Sequence, residues 1–177
     1  MLTQEQIEEL RAPLPAEALT PDRSRGFELT SIKAAYIIQR LNDVFGPCGV
    51  GWRYVHAPFE TIVTADQRSE IVTEVALQYR VAKDEQRGSG PVEWRDGWRI
   101  RPDHPWVWSE PILAAGGKSP GGGSVPYTDA RKSAVTDGLT KAASMLGIGH
   151  RVFKGLVRVG GNGGNGGNGH HDNGDAE

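Results

Sequence analysis

Lys132, Ser133, Thr136, Asp137, Thr140, Lys141 and Ser144 recur at steps of three and four, so a helix would carry them along one side. A row of hydroxyls with two ammonium groups is a row of hydrogen-bond donors, the chemistry that grips phosphate oxygens. Asp137 and Lys141, four residues apart, also fit an ordinary intrahelical ion pair. The other side of the same segment holds Ala134, Val135, Gly138, Leu139, Ala142, Met145 and Leu146. Small residues along its middle permit close approach to a sheet, which gives Gly138 a structural use despite a cost of about 1 kcal/mol in mid-helix.

A second chemistry-bearing stretch is VEWRDGWRIRPDHPWVW, which holds four of the five tryptophans interleaved with Arg95, Arg99 and Arg101. Alternating indoles and guanidinium groups compose a base-stacking platform for single strands. Cross-strand aromatic pairs or a subunit interface would use the same residues. Trp98 and Arg99 are the candidates for a stacking or interface role.

Other patterns exclude chemistry. In GGKSPGGG the first glycine of a phosphate-binding loop would be Ile112, and Pro120 stands where a helix would have to begin. His170 and His171 lack spaced partner ligands, so no metal and no cofactor is expected. Asp66, Glu70 and Glu74 have no His, Ser or Cys in a recognisable constellation with them, so no catalytic residue and no enzyme is expected.

Composition bounds the elements that must position these groups. The chain has 177 residues and no apolar run able to span a bilayer. Residues 160–177 hold eight of the 24 glycines and no large apolar side chain, which predicts a disordered Gly/Asn-rich tail after a single domain of residues 1–159. Cys48 is the one cysteine, which fits a reducing cytoplasm. Net charge is −2, but three of the 22 acidic residues lie in the tail, leaving 20 basic against 19 acidic residues before it. From Tyr127 to Val159 six basic residues face only Asp129 and Asp137, a local cationic bias expected of a binding surface.

Thr3 to Gln6 has the capping-box form and predicts a short helix to Arg11, followed by an extended connection through Pro13, Pro15 and Pro21. A second helix is predicted after Thr30 or Ser31, with Ala34, Ile37, Ile38, Leu41, Val44 and Phe45 on its stripe and Gly46-Pro47 as its stop. Trp52 to Val63 is strand-like, with a bulge or edge at Pro58. In EIVTEVALQYRV, Ile71, Thr73, Val75, Leu77, Tyr79 and Val81 alternate onto one face. Trp106 to Ala115 is a third strand, and a last helix runs from a Thr128 cap to Gly147. The expected fold class is therefore α+β: two N-terminal helices, a three-stranded antiparallel sheet and a helix packed on it.

RKSAVTDGLTKAASMLG, residues 131–147, resembles the signature helix of the Rad-fifty-two-type single-strand annealing proteins, with its alanine-valine-threonine-aspartate-glycine run, basic segment and leucine-glycine stop. LNDVFGPCGVGWRYV, residues 41–55, is similar to that family's helix end, followed by glycine and tryptophan opening a strand. The likeness covers Gly26 to Val81 and Trp106 to Phe153 in the right order, and the glycine-rich tail is like that of short bacterial members. It implies a strand-strand-strand-helix core, a homo-oligomeric ring, and a basic groove holding single-stranded DNA. The family's groove positions fall on Thr140, Lys141 and Ser144, of which only Lys141 is basic. That departure bears on annealing more than on binding, since hydroxyls add no counterion release. Arg23 or Arg25 stands for the basic residue before the second helix, and Arg131 and Lys132 open the motif. With Lys33 and Thr136, these are the DNA-binding candidates. The implied role is a single-stranded DNA-binding repair protein that coats and protects ends in the damage response. An annealing mediator and a protein-interaction scaffold for other repair proteins are the alternatives.

Overall fold

The fold, taken from a computed structural model that describes residues 2–22, 29–63, 65, 68–82, 106–120 and 127–157, begins with helix α1 (Gln4–Arg11). A 3-10 turn (Ala16–Ala18), a hairpin of β1 (Leu19–Asp22) and β2 (Leu29–Ile32), and helix α2 (Ala34–Phe45) follow. Then come β3 (Trp52–His56), β4 (Glu60–Val63), β5 (Ser69–Ala82), β6 (Trp106–Trp108), β7 (Ile112–Lys118), α3 (Tyr127–Met145) and α4 (His150–Phe153). Residues 160–177, Arg23, Arg25, Trp98 and Arg99 lie outside the described residues.

The α+β class stands, but the expected three-stranded sheet does not. The main sheet has five strands, a second sheet has two, and there are four helices among the described residues. The physical reason is visible in the register. All four partners pair antiparallel with the 14-residue β5, β3 and β4 along one edge and β7 and β6 along the other. Between His56↔Val75 and Glu60↔Val72 the outer chain advances one residue more than β5, and the same slip separates Ile112↔Leu77 from Trp108↔Arg80. Each slip is a one-residue bulge, and each contains a proline, Pro58 or Pro111, that has no N–H for the ladder. The buried Thr73 hydroxyl donates to the Ala57 carbonyl at 2.7 Å and fixes the first bulge. Thr30 and Ser31 lie in β2 rather than capping a helix, and α2 opens after Lys33.

Alternation in β5 decides the layers. Ile71, Thr73, Val75 and Leu77 are buried beneath α3, and Leu10, Ile37, Leu41, Trp52, Leu139 and Ile148 extend that core around α1 and α2. Trp52 is buried, and its indole N–H donates to Asn42 Oδ1 at 2.8 Å, which ties the LNDVFG helix end to the strand that follows. Phe45 stacks on Tyr79 beside it. The N-terminal segment is held by Arg40 of α2, which donates to the carbonyls of Glu9 and Ala12 at the end of α1, where the helix dipole favours a cation. No described helix covers the opposite face of the sheet, where Val55, Ile62 and Leu113 are exposed.

The approach of α3 to β7 is set by two glycines. A Cβ on Gly116 would lie 1.9 Å from the Ala134 carbonyl oxygen and 2.5 Å from the Gly138 nitrogen. A Cβ on Gly138 would press chiefly on the Val75 side chain, 2.6 Å from Cγ2 and 3.1 Å from Cβ, and would lie 3.3 Å from the Ala114 carbonyl oxygen. Backbone cannot yield as a methyl can, so Gly116→Ala is expected to cost more than about 4 kcal/mol, and Gly138→Ala about 1–3 kcal/mol. Denaturant unfolding of the two variants checks the order. A Gly116→Ala midpoint equal to the parent's would contradict the packing.

Candidate nucleic-acid interface

Helix α3 buries Ala130, Ala134, Gly138, Leu139, Ala142 and Ala143, while Met145 is exposed rather than part of the apolar stripe. Its polar side is tied down. Asp137 Oδ2 accepts from the Gly117 N–H at 3.0 Å and from Lys141 Nζ at 2.7 Å, and Lys141 also donates to the Ala115 carbonyl at 3.1 Å. Gly117 and Ala115 are alternate residues of β7, and these bonds occupy the side of that strand turned away from β5. The pair therefore closes a sheet edge. Thr136, Thr140 and Ser144 hydroxyls donate to the carbonyls of Lys132, Thr136 and Lys141 within the same helix. Those protons are engaged in the helix, so the row offers phosphate fewer donors than its letters promise.

Lys132 is exposed and meets no carboxylate among the described residues. Lys33 is exposed just ahead of α2, and its backbone N–H donates to the Ala18 carbonyl at 2.8 Å. Arg131 lies over the rings of Tyr127 (4.8 Å) and Phe59 (5.2 Å). The Tyr127 hydroxyl sits 2.6 Å from the Thr61 hydroxyl, and that bond, aided by the Arg131 charge, lowers its pKa below the ordinary 10.0. This corner joins the start of α3 to β4.

A second cluster lies on the uncovered face. In an antiparallel ladder directly paired residues share a face, so Arg53↔Gln78 and Arg80↔Trp108 stand opposite the buried Val75 and Leu77, and so does Trp106. Arg80 stacks over the Trp106 ring at 3.3 Å, Arg53 over Trp108 at 4.4 Å, and the two indoles meet edge to face at 5.8 Å. Gln78 orders the group: its Oε1 accepts from Arg53 Nε and its amide donates to the Ser109 carbonyl in the second bulge. Arg80 Nε is buried and finds no acceptor among the described residues. A planar cation stacked on an indole is the chemistry that can recognise a base or an anion.

Of the residues marked in the sequence, Arg131, Lys132, Thr136, Thr140 and Lys141 share one helix, and Lys33 stands apart at the start of α2. Trp106 and Trp108 end the tryptophan-rich stretch marked in the sequence as a stacking platform, whereas Arg53 and Arg80 carry no such mark, because they come from two other strands. The usable signal was the alternation that sets Gln78 and Arg80 opposite the core face. No three His, Cys, Asp or Glu residues gather into a metal site among the described residues, and no helix there is long and apolar enough to cross a membrane. Comparison of the chain with protein-family models and with curated proteins returns no match.

Two outcomes are expected. Asp137→Ala, which takes the carboxylate from Lys141 and leaves the Gly117 N–H without its acceptor, lowers unfolding free energy by about 1 kcal/mol, and Lys141→Ala by less, since the ion pair is half-exposed. Chemical denaturation measures both. Thr61→Val raises the Tyr127 pKa, read by spectrophotometric titration against Tyr127→Phe. Because the folded-state pKa is depressed, this contribution to stability is present above pH 10.0 and is lost as pH falls through the folded value. The parent therefore gains stability over Thr61→Val as pH rises.

Proposed function

We propose that this chain is a non-catalytic single-stranded DNA-binding protein that coats and protects DNA ends, as a homo-oligomer, in the damage response of a bacterial cytoplasm. The observation that carries the reading is the Arg53–Arg80–Trp106–Trp108 array on a sheet face that no described helix covers. Single strands present bases that stack on aromatic planes and phosphates that accept from guanidinium groups, and this array supplies both at one place. Lys132 and Arg131 on α3 add cations for backbone contact. The resemblance of residues 131–147 and 41–55 to single-strand annealing proteins supports the same ligand class. Exposed Val55, Ile62 and Leu113 on the uncovered face support self-association.

Fluorescence anisotropy of a labelled oligonucleotide, single-stranded and then duplexed, tests this at two salt concentrations. Binding is expected to prefer the single strand and to weaken steeply with salt. Trp106→Ala and Arg80→Lys should each weaken it by about tenfold or more, because lysine keeps the charge and loses the planar stack. Lys141→Ala should change it little. Absence of saturable single-strand binding at low salt would overturn the proposal. Parent-like affinity in a folded Arg53→Gln, Arg80→Lys double variant would remove the site.

A further inference from the structure

The chain makes a cleft of about 460 Å³ between the segment after α1 and helix α4. Gly147 and Gly149, both in left-handed conformations (φ 104 and 67), turn the chain sharply around the buried Ile148. Glycine is needed at both. A Cβ on Gly147 would lie 2.9 Å from Arg11 Cγ, and one on Gly149 would lie 2.3 Å from Ile32 Cδ1. The turn therefore lays α4 beside the segment after α1, and its positive φ angles favour glycine at both positions.

The cleft has two chemistries. Its apolar walls are Leu14, Leu19, Val152, Leu156 and Val157, and Leu156 is 65% exposed. Arg11, His150 and Arg151 also line it, and none of its lining residues is acidic. No carboxylate pairs with Arg11 or Arg151 among the described residues. Lys154 stands exposed just beyond Phe153, itself half-exposed on α4. The volume is that of a side-chain or small-ligand pocket. Its lining holds no Trp, Tyr or Phe on which a base could stack, which sets it apart from the sheet-face array.

We propose that this cleft docks an acidic peptide segment of a partner protein, seating one apolar side chain on Leu14, Val152 and Leu156 while flanking carboxylates meet Arg11 and Arg151. Both halves of the cleft are then used: burial of the anchor supplies affinity, and charge complementarity supplies orientation and on-rate. The chain's own acidic end has the carboxylates of Asp172, Asp175 and Glu177 but no large apolar side chain among residues 160–177, so it supplies the charge without the anchor. The occupant comes from another protein.

The test is anisotropy of a labelled peptide carrying an aspartate run followed by leucine and phenylalanine, added to the full chain. Two control peptides replace either the aspartates by asparagine or the apolar pair by glycine. Saturable binding is expected, with each control at least about tenfold weaker. Arg151→Glu and Leu156→Ser, both at exposed positions, should weaken it similarly, while Arg80→Lys on the sheet face should leave it unchanged. Equal binding of the glycine control would overturn the proposal in favour of a plain anion site. Loss of single-stranded DNA binding in Arg151→Glu, with the peptide displaced by oligonucleotide, would reassign the cleft to nucleic acid. Failure of peptide binding with sheet-face DNA binding intact would sink the docking site alone.

Discussion

The contact between the backbones of Gly116 and α3 is the constraint on which the other features rest. With the Ala134 carbonyl and the Gly138 nitrogen occupying the space a Gly116 Cβ would need, the backbone of α3 lies directly against β7. At that separation a side chain as short as aspartate reaches across to a strand edge, so Asp137 can take the Gly117 N–H and Lys141 the Ala115 carbonyl. A bulkier pair in place of the glycines would lift the helix and leave both β7 groups and both charged side chains to water. The alanine-rich stripe of α3, Ala130, Ala134, Ala142 and Ala143, follows from the same geometry, since large side chains would hold the layers apart.

That packing divides the sheet into faces of different character. One face is consumed by the helices and supplies the core. The other keeps Val55 and Leu113 exposed in its middle, collects Arg53, Arg80, Trp106 and Trp108 at one end, and carries Ile62 with Glu60, Glu70 and Glu74 toward the other. At the tryptophan end Arg80 is stacked on Trp106, and its buried Nε meets no acceptor among the described residues. The row of hydroxyls on α3 is the converse case: its donors already close bonds within the helix, and a ligand would have to displace them.

The parts of the fold that depend on local periodicity were legible in the residues. The T-x-x-Q box at Thr3 is a capping box, the alternation from Ile71 to Leu77 is a buried face, and Ile37 and Leu41 are buried in α2. What depends on register was not. The letters around Pro58 and Pro111 signal interruption, but a bulge is defined by the partner strand, and that partner lies far away in sequence. Three expected strands became five for this reason. The hairpin of β1 and β2 was missed because Pro21 argues against a strand unless it sits at an edge, and a two-stranded sheet has only edges.

The sequence by itself determined the start of α1, the stop of α2 at Gly46, the buried face of β5 and that Gly138 serves a close approach, because those properties need only the 3.6- and 2-residue periods and local sterics; the starts of α2 and α3 and the exposure of Met145 did not follow from them. The tertiary structure alone decided what the polar residues do. Lys141 and Asp137 stand four apart in any helix, yet only the height of α3 above β7 turns them into an edge clamp. Arg53, Arg80, Trp106 and Trp108 are scattered over 56 positions and become one cluster only when β3 and β6 flank β5 at the observed register. Arg11 and Arg151 line one cleft only because the turn through Gly147 and Gly149 returns the chain to its beginning. Hydrogen-bond partners and charge neighbours are fixed by distances through space, and those distances are set by packing, not by spacing along the chain.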